Sequence, residues 1–420
     1  MRFLLHLLAA TLPAFATPKL ESVSSIPSAT LDSLNDTAGS FGSGATYDPD
    51  SKILYLTTDR GPGDGAVDFS PRLYSIPMQP DEKNIASAIQ SHLSAHLYKD
   101  PDGKPFTGLT PDSSDPEPRM KDGRRCLDPE GLALMLDGNL LLCEEYMPSI
   151  LQFKPDGTFM ARLIPLENYF PRNPTTSEID FREAANRTEG REDNRGFEGV
   201  ALSPDGKTLY AILQSALTQD GGKDAGATRL LVFDAFSGTP KSEYAVRFTD
   251  PASLPEGGKK LKTKNLVFSD LLCLPDGRLL SLERDNRGQD GSTTPKVAIF
   301  KSVCVLELTS ATDLLSLPDK PYSLRKTDPK FKPLNATQPI EYVKKNLLFD
   351  FRDLDLPSQG LAWDQIPEKW EGLALLNNNR LLVISDNDFL NPELNLSGKK
   401  IPFPKCQTAV PTYLFNIKLR

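Results

Sequence analysis

One unit of sequence recurs along this chain, and no other feature restricts the fold as strongly. The segment GLALMLDGNLLLCEE at 131–145 is an apolar run, the pair Asp137-Gly138 and a second apolar run. It returns as GVALSPDGKTLYAILQ at 199–214, DLLCLPDGRLLSLE at 270–283 and GLALLNNNRLLVISD at 372–386, with a looser copy, GATYDPDSKILYLTTD, at 44–59. Proline fixes φ at the turn entry, and glycine or asparagine accepts the positive φ of a tight hairpin. The flanking runs are apolar at nearly every position, so both faces of each strand must be covered. Further amphipathic runs follow at 149–153 and 159–164, at 229–234 and 242–248, and at 302–308. A doubly buried hairpin followed by two such strands is one four-stranded blade, and blades repeated radially bury one another. The expected fold is an all-β propeller with five copies counted and a count of six left open. The last copy has its third strand at 413–418 and nothing behind it, so residues 20–28 are expected to close the ring.

The start of the chain sets the compartment. A basic Met1-Arg2, an apolar stretch from Phe3 to Leu12 and the small-residue site Ala14-Phe15-Ala16 read as a secretory signal over 1–16, leaving 17–420 as one domain. Sequons at Asn35, Asn186, Asn335 and Asn395 agree with that route and predict a glycoprotein. A net charge of −8 argues against nucleic acid or an anionic membrane as partner, and a monomer is expected. The five cysteines permit two disulfides; Cys126 and Cys406 lie in loops and are the one pairing suggested. Polar stretches at 109–125, 171–195, 218–228 and 250–264 read as surface insertions, and Ile85, Ile89 and Leu93 as a short helix.

Several chemistries are missing. Beyond the signal the only histidines are His92 and His96, too few for a zincin and poor support for a serine triad. No nucleophile elbow and no glycine-rich phosphate loop is present.

Strand geometry supplies the candidate site. In an antiparallel hairpin the start of the first strand and the end of the second lie at one edge. If the first strands line the axis, Glu130, Glu198, Asp270 and Glu371 ring one mouth of the channel, joined by Asp59, Glu144, Gln214, Glu283 and Asp386. So many carboxylates cannot all stay ionised side by side unless cations share the site. Oxygen ligands favour calcium or magnesium. Asp386 and Asp388 have the spacing of a cation loop, and Arg60, Arg195 and Arg284 sit beside the ring as fixed charge for an anion. The competing reading is structural: each acid accepts main-chain N–H groups of the next blade and latches the ring.

At this point the chain resembles the phytase-like family, described as "esterase-like activity of phytase", over nearly its whole mature length. The segments that carry the resemblance are DPEGLA at 128–133, EEY at 144–146 with Ser149 and Ile150, GFEGVA at 196–201, LQSAL at 213–217, LERD at 282–285, EGLA at 371–374 and SDND at 385–388. The resemblance implies a propeller and a hydrolase of phosphate esters or related esters. With the ring geometry, the expected catalytic set is Glu130, Glu198, Glu371, Arg60 and Arg284. The expected ligands of a divalent cation, calcium, are Asp59, Glu144, Glu283, Asp386 and Asp388, and the substrate is a small anion such as a phosphate ester. A non-catalytic propeller that binds a ligand or peptide, and a metal-dependent lactonase-like hydrolase, are the alternatives.

Overall fold

A computed structural model of the chain describes residues 17–183, 187–254, 261–317, 322–324, 332–333 and 340–419. The signal segment and the sequon asparagines Asn186 and Asn335 lie outside them. Five four-stranded antiparallel sheets form the blades of a propeller, and in the first four the strands follow chain order. Blade 1 comprises Gly44–Asp48, Ile53–Thr57, Arg72–Pro77 and Ser94–Leu97. Blade 2 comprises Pro129–Leu134, Leu140–Glu144, Ser149–Phe153 and Phe159–Leu163. Blade 3 comprises Phe197–Leu202, Thr208–Leu213, Ala227–Asp234 and Pro240–Arg247. Blade 4 comprises Leu266–Cys273, Leu279–Asp285, Lys301–Glu307 and Lys344–Asp350.

Blade 5 takes Lys369–Asn377, Arg380–Asp386 and Thr412–Lys418 from one end of the chain and Lys19–Ile26 from the other. The N-terminal strand pairs antiparallel with the last one, from Lys19 opposite Lys418 to Ile26 opposite Thr412. The ring is closed by hydrogen bonds between the two ends of the domain.

Each interface between neighbouring blades holds its own apolar core, which is why the hairpin strands are apolar on both faces. Leu141, Cys143 and Ile150 of blade 2 meet Val200, Leu209 and Leu231 of blade 3 in one cluster. Four further clusters fill the remaining interfaces. Burying one such leucine contributes about 1.5–3 kcal/mol, so the ring is held chiefly by blade-to-blade packing. Among the described residues all five cysteines are free thiols, Cys126 and Cys406 included. Cys143 and Cys304 are buried strand residues, and Cys406 donates to the Thr408 carbonyl at 3.1 Å. The helix foreseen from Ile85, Ile89 and Leu93 runs over Ile85–Ser91, stopping short of Leu93, with the Asn84 side chain capping its start.

The first strand of each blade lies against the first strands of both neighbours, so these five strands line the axis. That packing explains the glycine after each inner glutamate. A Cβ on Gly131 would lie 2.7 Å from the Glu198 carbonyl oxygen, and one on Gly44 would lie 2.5 Å from that of Glu130. Only a bare α-carbon lets adjacent inner strands approach so closely.

Candidate functional site

Register decides which acids reach the channel. Phe197 pairs with Leu213, Phe268 with Glu283 and Trp370 with Ser385; a bulge follows, and pairing resumes at Gly199, Asp270 and Gly372. The residues skipped, Glu198, Ser269 and Glu371, therefore occupy equivalent places. Glu130 sits in the matching irregularity of blade 2. The partners at the second-strand ends are Gln214, Arg284 and Asp386, with Glu145 in blade 2 and Asp59 in blade 1. A bulge carries one extra residue and re-aims the side chains beside it.

Side-chain contacts agree with this register. Gln214 Nε2 donates to Glu198 Oε1 at 2.6 Å. Arg284 donates from Nε to Ser269 Oγ at 2.9 Å and from Nη2 to Glu371 Oε1 at 2.5 Å. Asp386 Oδ2 accepts from Ser43 at 3.1 Å and from Ser40 at 2.7 Å. The ring is almost closed to solvent: Glu130 and Gln214 are 8% exposed and Asp59 7%, the rest less. The more open side chains at this mouth are Lys369 and Asp388 of blade 5, at 25% and 31%.

Sequence-based placement needs correction at three positions. Asp270 stands at the glycine position of the repeat, not at the glutamate position. Its carboxylate accepts N–H bonds from Leu271 at 2.8 Å and from Leu373 of the next blade at 2.7 Å, so here the latch reading holds. Glu144 points away from the channel and accepts the N–H groups of Tyr146 and Met147 at 2.9 and 2.8 Å. Glu283 is likewise turned outward, onto Thr249 and Lys345. Alternation along a strand has period two, so an error of one residue moves a side chain to the other face. Glu145 and Arg284 are the residues delivered to the channel. Glu130, Glu198 and Glu371 come together with Arg284, and Asp59, Asp386 and Asp388 have carboxylate oxygens within 4.8 Å of one another. Arg60 lies over the Tyr146 ring, donates its backbone N–H to Asp128 Oδ1 at 3.1 Å and pairs with Glu183 at 3.1 Å.

A second acidic group, Asp128, Glu130 and Glu145, also brings its carboxylate oxygens within 4.8 Å. Asp128 and Glu145 were present in the segments DPEGLA and EEY, yet nothing in one sequence shows which of two adjacent acids turns inward. Counted around the mouth, Asp59, Asp128, Glu130 and Glu145 with Glu198, Glu371, Asp386 and Asp388 make eight carboxylates among the described residues. Four cations, Arg60, Arg195, Arg284 and Lys369, stand among them. Burial, followed by Glu198, Asp128, Glu145 and Glu371, pushes the Glu130 carboxyl well above the usual range. Burial and the neighbouring Glu145 and Glu371 do the same to Glu198. Burial likewise raises Asp386 to about 7, and raises Asp59 and Asp128. Asp388 is the exception: against burial, the nearby Lys369 holds it below the ordinary value.

The insertion at 171–195 reaches this mouth, bringing Glu183 onto Arg60 and placing Arg195 near Glu145, Glu198 and Arg284. The buried Arg195 Nη1 has no hydrogen-bond partner, nor do Asp128 Oδ2 and Glu198 Oε2. The opposite mouth is chemically different. A cavity of about 320 Å³ opens there among Thr46, Leu132, Leu134, Leu202, Leu272 and Leu375, and no charged residue lines it. His96 is remote from both, on the outermost strand of blade 1 and bonded to Ser75.

A family model described as "Phytase-like: esterase-like activity of phytase" matches residues 37–389. An uncharacterised secreted protein of Arthroderma benhamiae is 28% identical, the match covering 88% of this chain and 86% of the relative. Among solved structures, regucalcin, a calcium-binding protein of Agrobacterium tumefaciens C58, is 12% identical with a TM-score of 0.33, covering 96% of this chain and 95% of that one. A gluconolactonase of Xanthomonas campestris is also 12% identical with a TM-score of 0.33, covering 98% and 99%. No helix among the described residues is long and apolar enough to cross a membrane.

Proposed function

Because the chain belongs to the phytase-like family, described as esterase-like activity of phytase, we propose that it is a secreted, cation-assisted hydrolase of small phosphate esters, working at the acidic mouth. One observation carries the reading: a nearly enclosed mouth in which carboxylates outnumber cations, while the Arg195 Nη1 beside them lacks any partner.

The donor set fits a hard divalent ion. It consists of carboxylate oxygens, and one of them, Asp128 Oδ2, is buried without a hydrogen bond. Such an ion would polarise a phosphoryl oxygen and supply hydroxide near neutral pH. The chain's own residues do the rest. Arg195 and Arg284 receive the remaining phosphoryl oxygens, because guanidinium groups match that geometry and lose little hydration there. Arg284 is steadied for this by Ser269 and Glu371. Glu198, fixed through Oε1 by Gln214, carries a proton at Oε2. It delivers that proton to the departing alkoxide oxygen as the phosphorus–oxygen bond breaks and the attacking water's oxygen takes its place.

The test is phosphate release from an aryl phosphate and from phytate, with calcium or magnesium and then with chelator. Release that chelator abolishes, and that falls at least about a hundredfold in Glu198→Gln, is expected. Absence of release from both esters with either ion would sink the phosphatase reading. Turnover of lactones without phosphate release would move the reaction to carboxylic esters.

A further inference from the structure

We propose that the cation is seated by Asp128, Glu130 and Glu145 of blade 2, and that the Asp59–Asp386–Asp388 group does not hold it. The inference rests on the preceding reading for its catalytic meaning, while ion binding can be measured without any turnover.

The two groups differ in what the protein already does for each oxygen. In the blade 5 group Asp386 Oδ2 is used by Ser40 and Ser43, and its Oδ1 by the Asp388 N–H at 2.7 Å. Asp59 Oδ1 accepts the Gly61 N–H at 2.7 Å. Lys369 supplies a positive charge from within, 3.1 Å from Asp388 and 4.0 Å from Asp386. Every member of that group is thus engaged by its own chain, and a lysine lies within it.

In blade 2 the pattern is one oxygen held and one left over. Asp128 Oδ1 accepts the Arg60 N–H, and Oδ2 has no hydrogen bond. Glu145 Oε1 accepts the Gly196 N–H at 2.8 Å. Groups that grip one oxygen and aim the other are how proteins orient metal-ligating carboxylates. The charge balance points the same way. Every charge acting strongly on Glu130 is another carboxylate, and the Arg60 guanidinium, 3.5 Å from Asp128 Oδ2, is shared with Glu183 and Asp64. An all-oxygen set selects calcium or magnesium over zinc or copper.

Calcium titrations by calorimetry, on the full mature chain stripped with chelator, test the seat in wild type, Glu130→Gln, Glu145→Gln and Asp388→Asn. One ion per wild-type chain is expected. Affinity should fall at least about tenfold in the two glutamine variants and stay within about twofold in Asp388→Asn. Folding of each variant is checked by its unfolding temperature in chelator. Glu130→Gln should match or exceed wild type there, since it removes a crowded charge, and should lose the calcium-dependent rise. Loss of binding in Asp388→Asn with retention in Glu130→Gln would overturn the assignment, as would a wild-type chain that binds neither calcium nor magnesium at millimolar concentration. Calcium bound in this pattern without release from any ester would keep the seat and remove the hydrolase. Chelator-sensitive release that survives in a tightly binding Glu130→Gln would do the reverse.

Discussion

Between pH 4.5 and pH 8, the stability of Glu144→Gln should shift by about 3 kcal/mol in the variant's favour relative to wild type. The Glu144 side chain is fully buried at the end of a blade 2 strand. Its carboxyl is pushed up to about 7 by burial, against the pull of Arg162, of the Met147 and Tyr146 amides and of Arg191. The sign follows from proton counting. Between the ordinary value of 4.5 and about 7, the folded protein keeps a proton that the unfolded chain has released. Stability is therefore full below 4.5 and is lost as pH rises, at about 1.4 kcal/mol per pH unit, or about 3 kcal/mol in all. Glutamine mimics the protonated acid and cannot titrate, so the variant escapes this loss. Its NH₂ group, facing a main-chain donor, imposes a cost that is the same at both pH values and cancels in the comparison. Urea unfolding followed by tryptophan fluorescence, in chelator at pH 4.5 and 8, gives the two differences. If the gap between wild type and Glu144→Gln is the same at both pH values, burial does not dominate at this carboxylate and the reasoning fails.

Two other perturbations probe the ring. Arg284→Met strands the buried Glu371 carboxylate and should cost about 3–5 kcal/mol in urea unfolding, most of it recovered in Arg284→Met with Glu371→Gln; an equally unstable double variant would refute the pairing. Asp270→Ala leaves the Leu271 and Leu373 N–H groups without their acceptor and should cost about 2–4 kcal/mol, partly offset by relief of a buried charge. Faster amide exchange confined to the blade 4–5 junction would report it, and exchange unaltered at Leu373 would speak against the latch.

The blade architecture was legible because turn residues and doubly apolar runs are local, and the packing that follows from them is not ambiguous. Five hairpins gave five blades, and the missing outer strand of the last pointed to the N-terminal segment. The site was legible only to within one residue. Glu130, Glu198 and Glu371 precede a glycine that the inner strands need, so their places are fixed by an unmistakable neighbour. Glu144 and Glu145 are both acids, and Glu283 adjoins Arg284, so composition cannot tell the inward member from the outward one. The bulge that decides it is a property of pairing. Asp270 deceived for a related reason: it aligns with glycines, and an acid there replaces close backbone contact by a side-chain bridge. The contribution of Glu183 arises from an insertion whose path no repeat foretells.

The strand Lys19–Ile26 finds its partner some 400 residues away, at Thr412–Lys418. Joining segments so distant costs about 5 kcal/mol in chain entropy alone. A ribosome delivers the first of them long before the second, so the leading strand must wait unpaired, its edge open, while four blades assemble. The nascent protein is an arc with two sticky rims until its final strand arrives. Retention of that strand by a chaperone or a crowding neighbour would hold the acidic mouth apart, since Ser40 and Ser43 reach Asp386 across the same seam. Maturation of the fold and completion of its charged centre are thus one event.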